Sequence, residues 1–415
     1  MENPQADNDP NVRPLTFADP LTDELLKYSL RTQLESLFKT EMTIQQRQHQ
    51  LQQSFVEAIT LVLADKSAKH QQLVAAFEQM YESATQSMAL AELSQELLTR
   101  QYVSSSGLIM SPLNCRHTIK DVYRIQGYVR GIDLAIKQQL RQKSVVNVLY
   151  PACGPFAPLL LPLLKYYQQQ GQIKAGQLKV TLLDIQAGAI LSLRQLVSDL
   201  EITDYICDIV EQDATEYIPE QSIDLLILEA MQHGFTQEGQ LSIAKHLVHY
   251  LDLEGSLIPQ QVSVRGIMVI GETEFSQQWR TAAFTHSLNV DPTAQADRIE
   301  LGEIFKVNKS SLLKAQPIAL DGGIKVLTAN QLTIPKGIED MSQRILAIYA
   351  HVHTYGQETV QQYDSGITHP RPDMSFYIDA QPNQIDHPYF VANSGDTVQF
   401  FYQLTGLPGF IASKL

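Results

Sequence analysis

The sequence predicts an α/β core built on a parallel sheet, with a helical region before it and an all-β barrel or sandwich after it. Three observations carry this. Between residues 145 and 260 short apolar runs alternate with amphipathic stretches, the pattern of strands joined by crossover helices and covered on both faces. From Leu21 to Ser106 there is neither Gly nor Pro, and the good helix formers Gln, Leu, Ala and Glu dominate. Beyond about residue 260, short segments such as VRGIMVIG, IKVLTA, ILAIYAHVHTY and TVQFFYQL are separated by Gly, Pro, Asn and Asp, which reads as all-β.

Taken in order, residues 1–20 carry Pro4, Pro10, Pro14 and Pro20 and read as a flexible lead-in. Residues 21–106 read as three or four helices, with Leu51, Phe55, Ile59 and Leu63, then Leu73, Phe77, Met80 and Tyr81, at helical spacing. The Gln-rich run 45–53 keeps that periodicity and reads as ordinary helix. SSSGLIMSP reads as a loop, and Asn114 to Gln142 as one or two helices. VVNVLY is the first strand, PACGPF its turn, and Pro158–Gln170 the helix that follows. VTLLDI is the second strand, with its helix at Ala187–Leu200. ICDIVEQDA and IDLLILE are the third and fourth strands, Leu241 to Leu251 is an amphipathic helix, and GSLIPQQVSV closes the unit. The expected domains are therefore 21–106, 107–260 and 261–415.

A chain of 415 residues exceeds one ordinary core. With 31 Lys and Arg against 45 Asp and Glu, the formal charge of −14 argues against nucleic acid as a partner and suits a cationic one. Cys115, Cys153 and Cys207 show no disulfide or metal spacing, which fits a reducing cytoplasm. The acidic, polar start MENPQADNDP is unlike a secretory signal, and no apolar run reaches the ~18 residues of a membrane span. The expected location is cytoplasmic, with no membrane partner.

Chemistry concentrates at the strand ends. Glu229 and Glu238 bracket a short polar loop containing His233 and Gly234, just past the fourth strand. Carboxylates leaving the C-terminal end of a parallel strand sit where open α/β sheets bind ligands. Two of them can grip a planar cation, and a guanidinium is the natural fit. Gly154 lies in the turn after the first strand, Asp184 ends the second and Asp213 follows the third. A tight glycine turn suits an anionic or nucleotide group, and an acid at the second strand end suits ribose hydroxyls. That set of strand ends resembles a class I S-adenosylmethionine-dependent methyltransferase. His351 and His353 alternate on one strand face, and with His369 or His387 they form only a weak metal pattern; no metal is expected.

More closely, the sequence resembles the protein arginine methyltransferases over residues 107–415. Asp121-Val-Tyr-Arg124 to Tyr128 matches that family's D-x-x-R-x-x-x-Y pattern, Glu229-Ala-Met231 to Glu238 its double-glutamate loop, and Gly255-Ser-Leu-Ile-Pro259 its run into the closing strands. The resemblance implies an α/β Rossmann-like methyltransferase domain with the helical region before it and the barrel after it. It implies S-adenosyl-L-methionine as cofactor, with Arg124 at its carboxylate, Asp184 at its ribose and Asp213 at its adenine. Gly154 would allow close backbone approach, while Tyr128 and Met231 complete the cofactor set. Glu229 and Glu238 would be catalytic, with His369 taking a proton or orienting an acid. The acceptor would be a cationic small molecule or peptide, and the protein a homodimer for which the helical stretch offers an amphipathic surface. Two alternatives stay open: a small-molecule O- or N-methyltransferase, and a non-catalytic binding module on the same fold. Departures are plain as well. Ala152 and Phe156 stand where the family has glycines, Ala230 where it has Trp, and Thr368-His369-Pro370 only partly matches its Thr-His-Trp loop.

Overall fold

The computed structural model describes residues 42–64, 69–276, 296–372, 376–379 and 390–415; the lead-in, residues 21–41 of the expected helical region and His387 lie outside these. The chain divides into two compact units, Met1–His49 and Gln50–Leu415. Among the described residues, no helix is long and apolar enough to cross a membrane.

Helices Ile44–Leu63 and His70–Ala89 follow the expected periodicity, burying Phe55, Ile59 and Val62, then Leu73, Phe77 and Met80. Ser87 of the second donates to the Asp199 carboxylate at 2.7 Å, which seats it on the helix Ala187–Asp199. The segment expected as a loop after residue 103 is instead an antiparallel hairpin, β1 (Tyr102–Val103) with β2 (Leu108–Ile109). Helix Pro112–Cys115, a short 3-10 turn and the long helix Val122–Leu140 follow.

The parallel sheet contains β3 (Val146–Pro151), β4 (Leu178–Asp184), β5 (Ile206–Glu211), β6 (Ile223–Ile227) and β7 (Leu251–Ile258), in the order β5-β4-β3-β6-β7. Every pairing is parallel. All of β6 is buried, as a strand covered on both faces requires. The order reverses between β3 and β6, which opens a crevice at their C-terminal ends. The run GSLIPQQVSV splits here. Its first half ends β7, and its second starts β8 (Gln261–Ile270), the first strand of the C-terminal region.

Two four-stranded antiparallel sheets make up most of that region. One joins β8 with β9 (Ile299–Asn308), β12 (Arg344–Tyr355) and β13 (Glu358–Val360) in the order β13-β12-β8-β9. The other orders β10 (Ile318–Ala319), β11 (Lys325–Thr333), β16 (Thr397–Gln403) and β17 (Gly409–Lys414) in sequence. Their inner faces meet where Phe305 stacks on Tyr402, ring centroids 5.3 Å apart. A short parallel pair, β14 (Phe376–Ile378) with β15 (Phe390–Ala392), completes the region.

Candidate active site at the strand ends

The turn after β3 carries Gly154, whose N–H donates to Asp184 Oδ2 at 2.9 Å; Asp184 Oδ1 accepts from Gln186 N–H, also at 2.9 Å. Asp184 is buried, which raises its pKa, while those backbone hydrogen bonds oppose the rise. Asp213 Oδ1 accepts from the N–H and hydroxyl of Thr215, at 2.8 and 2.7 Å. Gly154, Asp184 and Asp213 line one narrow slot whose apolar walls include Leu108, Ile109 and Ala189. No aromatic side chain lines it among the described residues; Phe156 is buried instead in the wall of the neighbouring cavity. Of the two residues at family glycine positions, Ala152 takes the left-handed backbone (φ 49°), and Ala157 does so too (φ 39°). Each costs on the order of 1 kcal/mol for a residue with a Cβ. The regular helix after the turn begins only at Leu161, later than the sequence predicts, so the turn itself and not a helix N-terminus edges the slot.

The hairpin and the residues around it roof the slot. Gln186, itself buried, donates to the carbonyls of Arg100 and Met110 at 2.7 and 3.0 Å, and Leu108 N–H donates to Gln237 O at 2.8 Å. The roof is thereby tied to β4 on one side and to the double-glutamate loop on the other.

Beside the slot lies a cavity of about 410 Å³ lined by both Glu229 and Glu238. That volume is within the usual range for small-molecule sites. Gly154, Cys115, Ala152 and Glu238 line slot and cavity alike, so the two adjoin. Glu229 is buried and its Oε2 pairs closely with Arg124 Nη2, while Arg124 Nη1 stands 3.9 Å from Asp121 Oδ2. Asp121 Oδ2 also accepts from the Ser365 hydroxyl at 2.5 Å. Glu229 Oε1, Arg124 Nε and Asp121 Oδ1 are buried with no hydrogen-bond partner among the described residues. Burial raises the pKa of Glu238, opposed by the Arg124 charge and a hydrogen bond from Gln232.

The loop between the two acids is held under strain. Phe235 (φ 70°) and Gln237 (φ 66°) take left-handed backbone, as does Gly234 (φ 62°). A Cβ at Gly234 would also lie 2.7 Å from Ile348 Cδ1, so only glycine fits there. Three partners over-determine this shape: Gly234 N–H donates to Ile367 O at 3.1 Å, Gln237 N–H to Pro408 O at 2.6 Å, and Tyr402 OH to Phe235 O at 2.9 Å. Buried Gln240 clamps the ends, accepting from Ala230 N–H at 2.7 Å and donating to Leu228 O at 3.1 Å. These contacts hold the strained backbone in place.

Of the remaining sequence candidates, Met231 is buried in the cavity wall. Tyr128 lines neither space; it is fully buried in the core, its hydroxyl unpartnered among the described residues. His369 also stands off both spaces, edge-on to Tyr363 with ring centroids 4.7 Å apart. Burial, with the Arg371 charge behind it, pulls its pKa down to about 3. His351 and His353 belong to no cluster of potential metal ligands among the described residues. Sequence reasoning missed Gln240, Ser365, Arg371 and a site role for His233. His233 and Arg371 line the cavity, and burial lowers the His233 pKa to about 4. Only the position of Arg371 just after the Thr368-His369 pair offered a signal.

No family model matches the sequence, and no curated protein matches it. Solved structures do. The Trypanosoma brucei PRMT1 enzyme–prozyme heterotetrameric complex with AdoHcy is similar at 13% identity and a TM-score of 0.40, covering 73% of this chain and 98% of that one. Arabidopsis thaliana protein arginine methyltransferase 10, in an open conformation, is similar at 12% identity and a TM-score of 0.41, covering 73% of this chain and 97% of that one. Both names belong to the family that the Asp121–Tyr128 and Glu229–Glu238 motifs resemble, and the likeness of this chain to that family is a remote one.

Proposed function

We propose that the chain is an S-adenosyl-L-methionine-dependent methyltransferase that N-methylates a guanidinium or amine acceptor gripped by Glu229 and Glu238. The observation that carries this reading is the shared cavity: both acids line it, and it adjoins the slot lined by Asp184 and Asp213, with Gly154 and Glu238 bordering both. The slot fits the nucleoside end of such a cofactor, since its walls are apolar and two acids stand at its edge. Each of those acids spends lone pairs on backbone N–H groups and keeps others for hydroxyl or amino donors. Arg124, whose buried Nε has no partner among the described residues, is the group for the cofactor carboxylate. When bound, the cofactor supplies an electrophilic methyl group.

The chain supplies position and charge. Glu229 Oε2 is committed to Arg124, which leaves Oε1 and the Glu238 carboxylate to accept from the acceptor's N–H groups. Two acids on two nitrogens concentrate positive charge there and leave the third nitrogen free to attack. Glu238, its proton affinity raised by burial, takes the proton released as the nitrogen bonds the methyl group. Met231 packs the wall beside the reacting centre, and Gln240 fixes the span between the acids.

The test is transfer of labelled methyl from S-adenosylmethionine to free arginine, simple amines and arginine peptides in parallel, with the product identified. Methylated nitrogen in any of these supports the reading. Tight donor binding with no labelled product in any of them rejects it in favour of a binding module. The implied homodimer is checked on the same sample by sedimentation.

A further inference from the structure

The charges lining the cavity do not cancel in place. Arg124 pairs with Glu229 and is already assigned to the cofactor carboxylate, and His233 is held neutral by burial. Glu238 and Arg371 remain, one anion and one cation. The loops that carry them are joined, since Gly234 N–H donates to Ile367 O at 3.1 Å. Arg371 is held by its backbone: its N–H donates to Ile348 O at 3.0 Å, and its carbonyl accepts from Ile348 N–H at 2.8 Å. The same carbonyl lies 3.3 Å from His233 Nε2. Arg371 is exposed, lines the cavity and makes no ion pair among the described residues. A guanidinium without an ion pair at a cavity wall suits a carboxylate, which it can hold through two parallel hydrogen bonds.

We propose that Arg371 binds the carboxylate of a small guanidino acid whose guanidinium sits between Glu229 and Glu238, so that the site accepts a free zwitterionic acceptor in preference to an arginine within a protein. This rests on the guanidinium reading above and adds the acceptor class. The cofactor carries a carboxylate as well, so the test separates the two sources.

L-arginine, agmatine (the same molecule without its carboxylate) and a capped arginine peptide are titrated calorimetrically into protein saturated with S-adenosylhomocysteine. The wild type is expected to bind L-arginine about tenfold or more tighter than agmatine, the scale of one charged hydrogen-bonded contact. Arg371→Gln should weaken L-arginine to the agmatine level and leave agmatine and S-adenosylhomocysteine within about twofold, with Arg371→Lys restoring part of the difference. Equal wild-type affinity for L-arginine and agmatine overturns the inference while the guanidinium reading stands. So does a peptide that binds best and ignores Arg371→Gln. A loss in Arg371→Gln confined to S-adenosylhomocysteine assigns the carboxylate to the cofactor and overturns it too. A wild type that binds S-adenosylhomocysteine and none of the three acceptors fails the guanidinium reading and this inference together.

Discussion

In the slot the carboxylates of Asp184 and Asp213 already hold backbone N–H groups, whereas in the wall of the adjoining cavity Glu229 Oε1 and Arg124 Nε are buried without partners among the described residues. Both sets lie at the C-terminal edge of one sheet and withdraw polar atoms from water. A buried polar atom left unpaired costs about 1–3 kcal/mol, which sets the two regions apart energetically. The slot acids shape turns first and meet a ligand second. In the cavity wall Glu229 and Arg124 answer chiefly to one another.

The comparison breaks most readily at Arg124. Arg124→Ala leaves buried Glu229 without its compensating cation, and urea unfolding should show a loss of about 3–5 kcal/mol. Asp213→Asn, which disturbs only a half-exposed turn in the slot, should cost about 1 kcal/mol or less. Equal losses would dissolve the distinction between the two regions.

Acid sharpens it next. His369 stays neutral in the folded protein down to about pH 3, while the unfolded chain protonates near 6.5. Between those values the unfolded state binds the extra proton, so stability from this group is complete above pH 6.5 and is lost as pH falls toward 3. At about 1.4 kcal/mol per pKa unit the full loss approaches about 5 kcal/mol, and His369→Asn should flatten that part of the pH–stability curve. Because His369 lines neither space, the same variant should keep donor affinity; a large loss of donor binding would move it into the site. Gln240→Met should cost about 2 kcal/mol by orphaning Ala230 N–H and Leu228 O. It should also lower turnover more than donor affinity, since the clamp spans the two acids. Smallest is Ala152→Gly, which relieves a left-handed alanine and should raise stability by about 1 kcal/mol or less in thermal unfolding.

The parallel sheet was legible because strands covered on both faces must read as unbroken apolar runs, as IDLLI does. The double-glutamate loop was legible because its acids bracket a short segment at a strand end. The hairpin at Tyr102–Ile109 was not, since two-residue strands show no period and its hydrogen bonds go to Gln237 as much as to itself. Nor was the split of GSLIPQQVSV between two sheets, because an extended run looks the same whichever neighbour it pairs with. Tyr128 fell at a motif position yet packs in the core, where an aromatic ring is equally at home. Arg371 and Gln240 escaped notice because their partners lie on other elements. Pairing of Arg124 with Glu229 spans 105 positions, and no local pattern announces it.

The most direct measurement compares wild type with Glu238→Gln on the same samples, following donor affinity by calorimetry and methyl transfer to a guanidinium acceptor by product analysis. The account predicts turnover lowered by about 100-fold or more with donor affinity within about twofold. Near wild-type turnover in the variant, or a folded wild type that binds no donor, would contradict it.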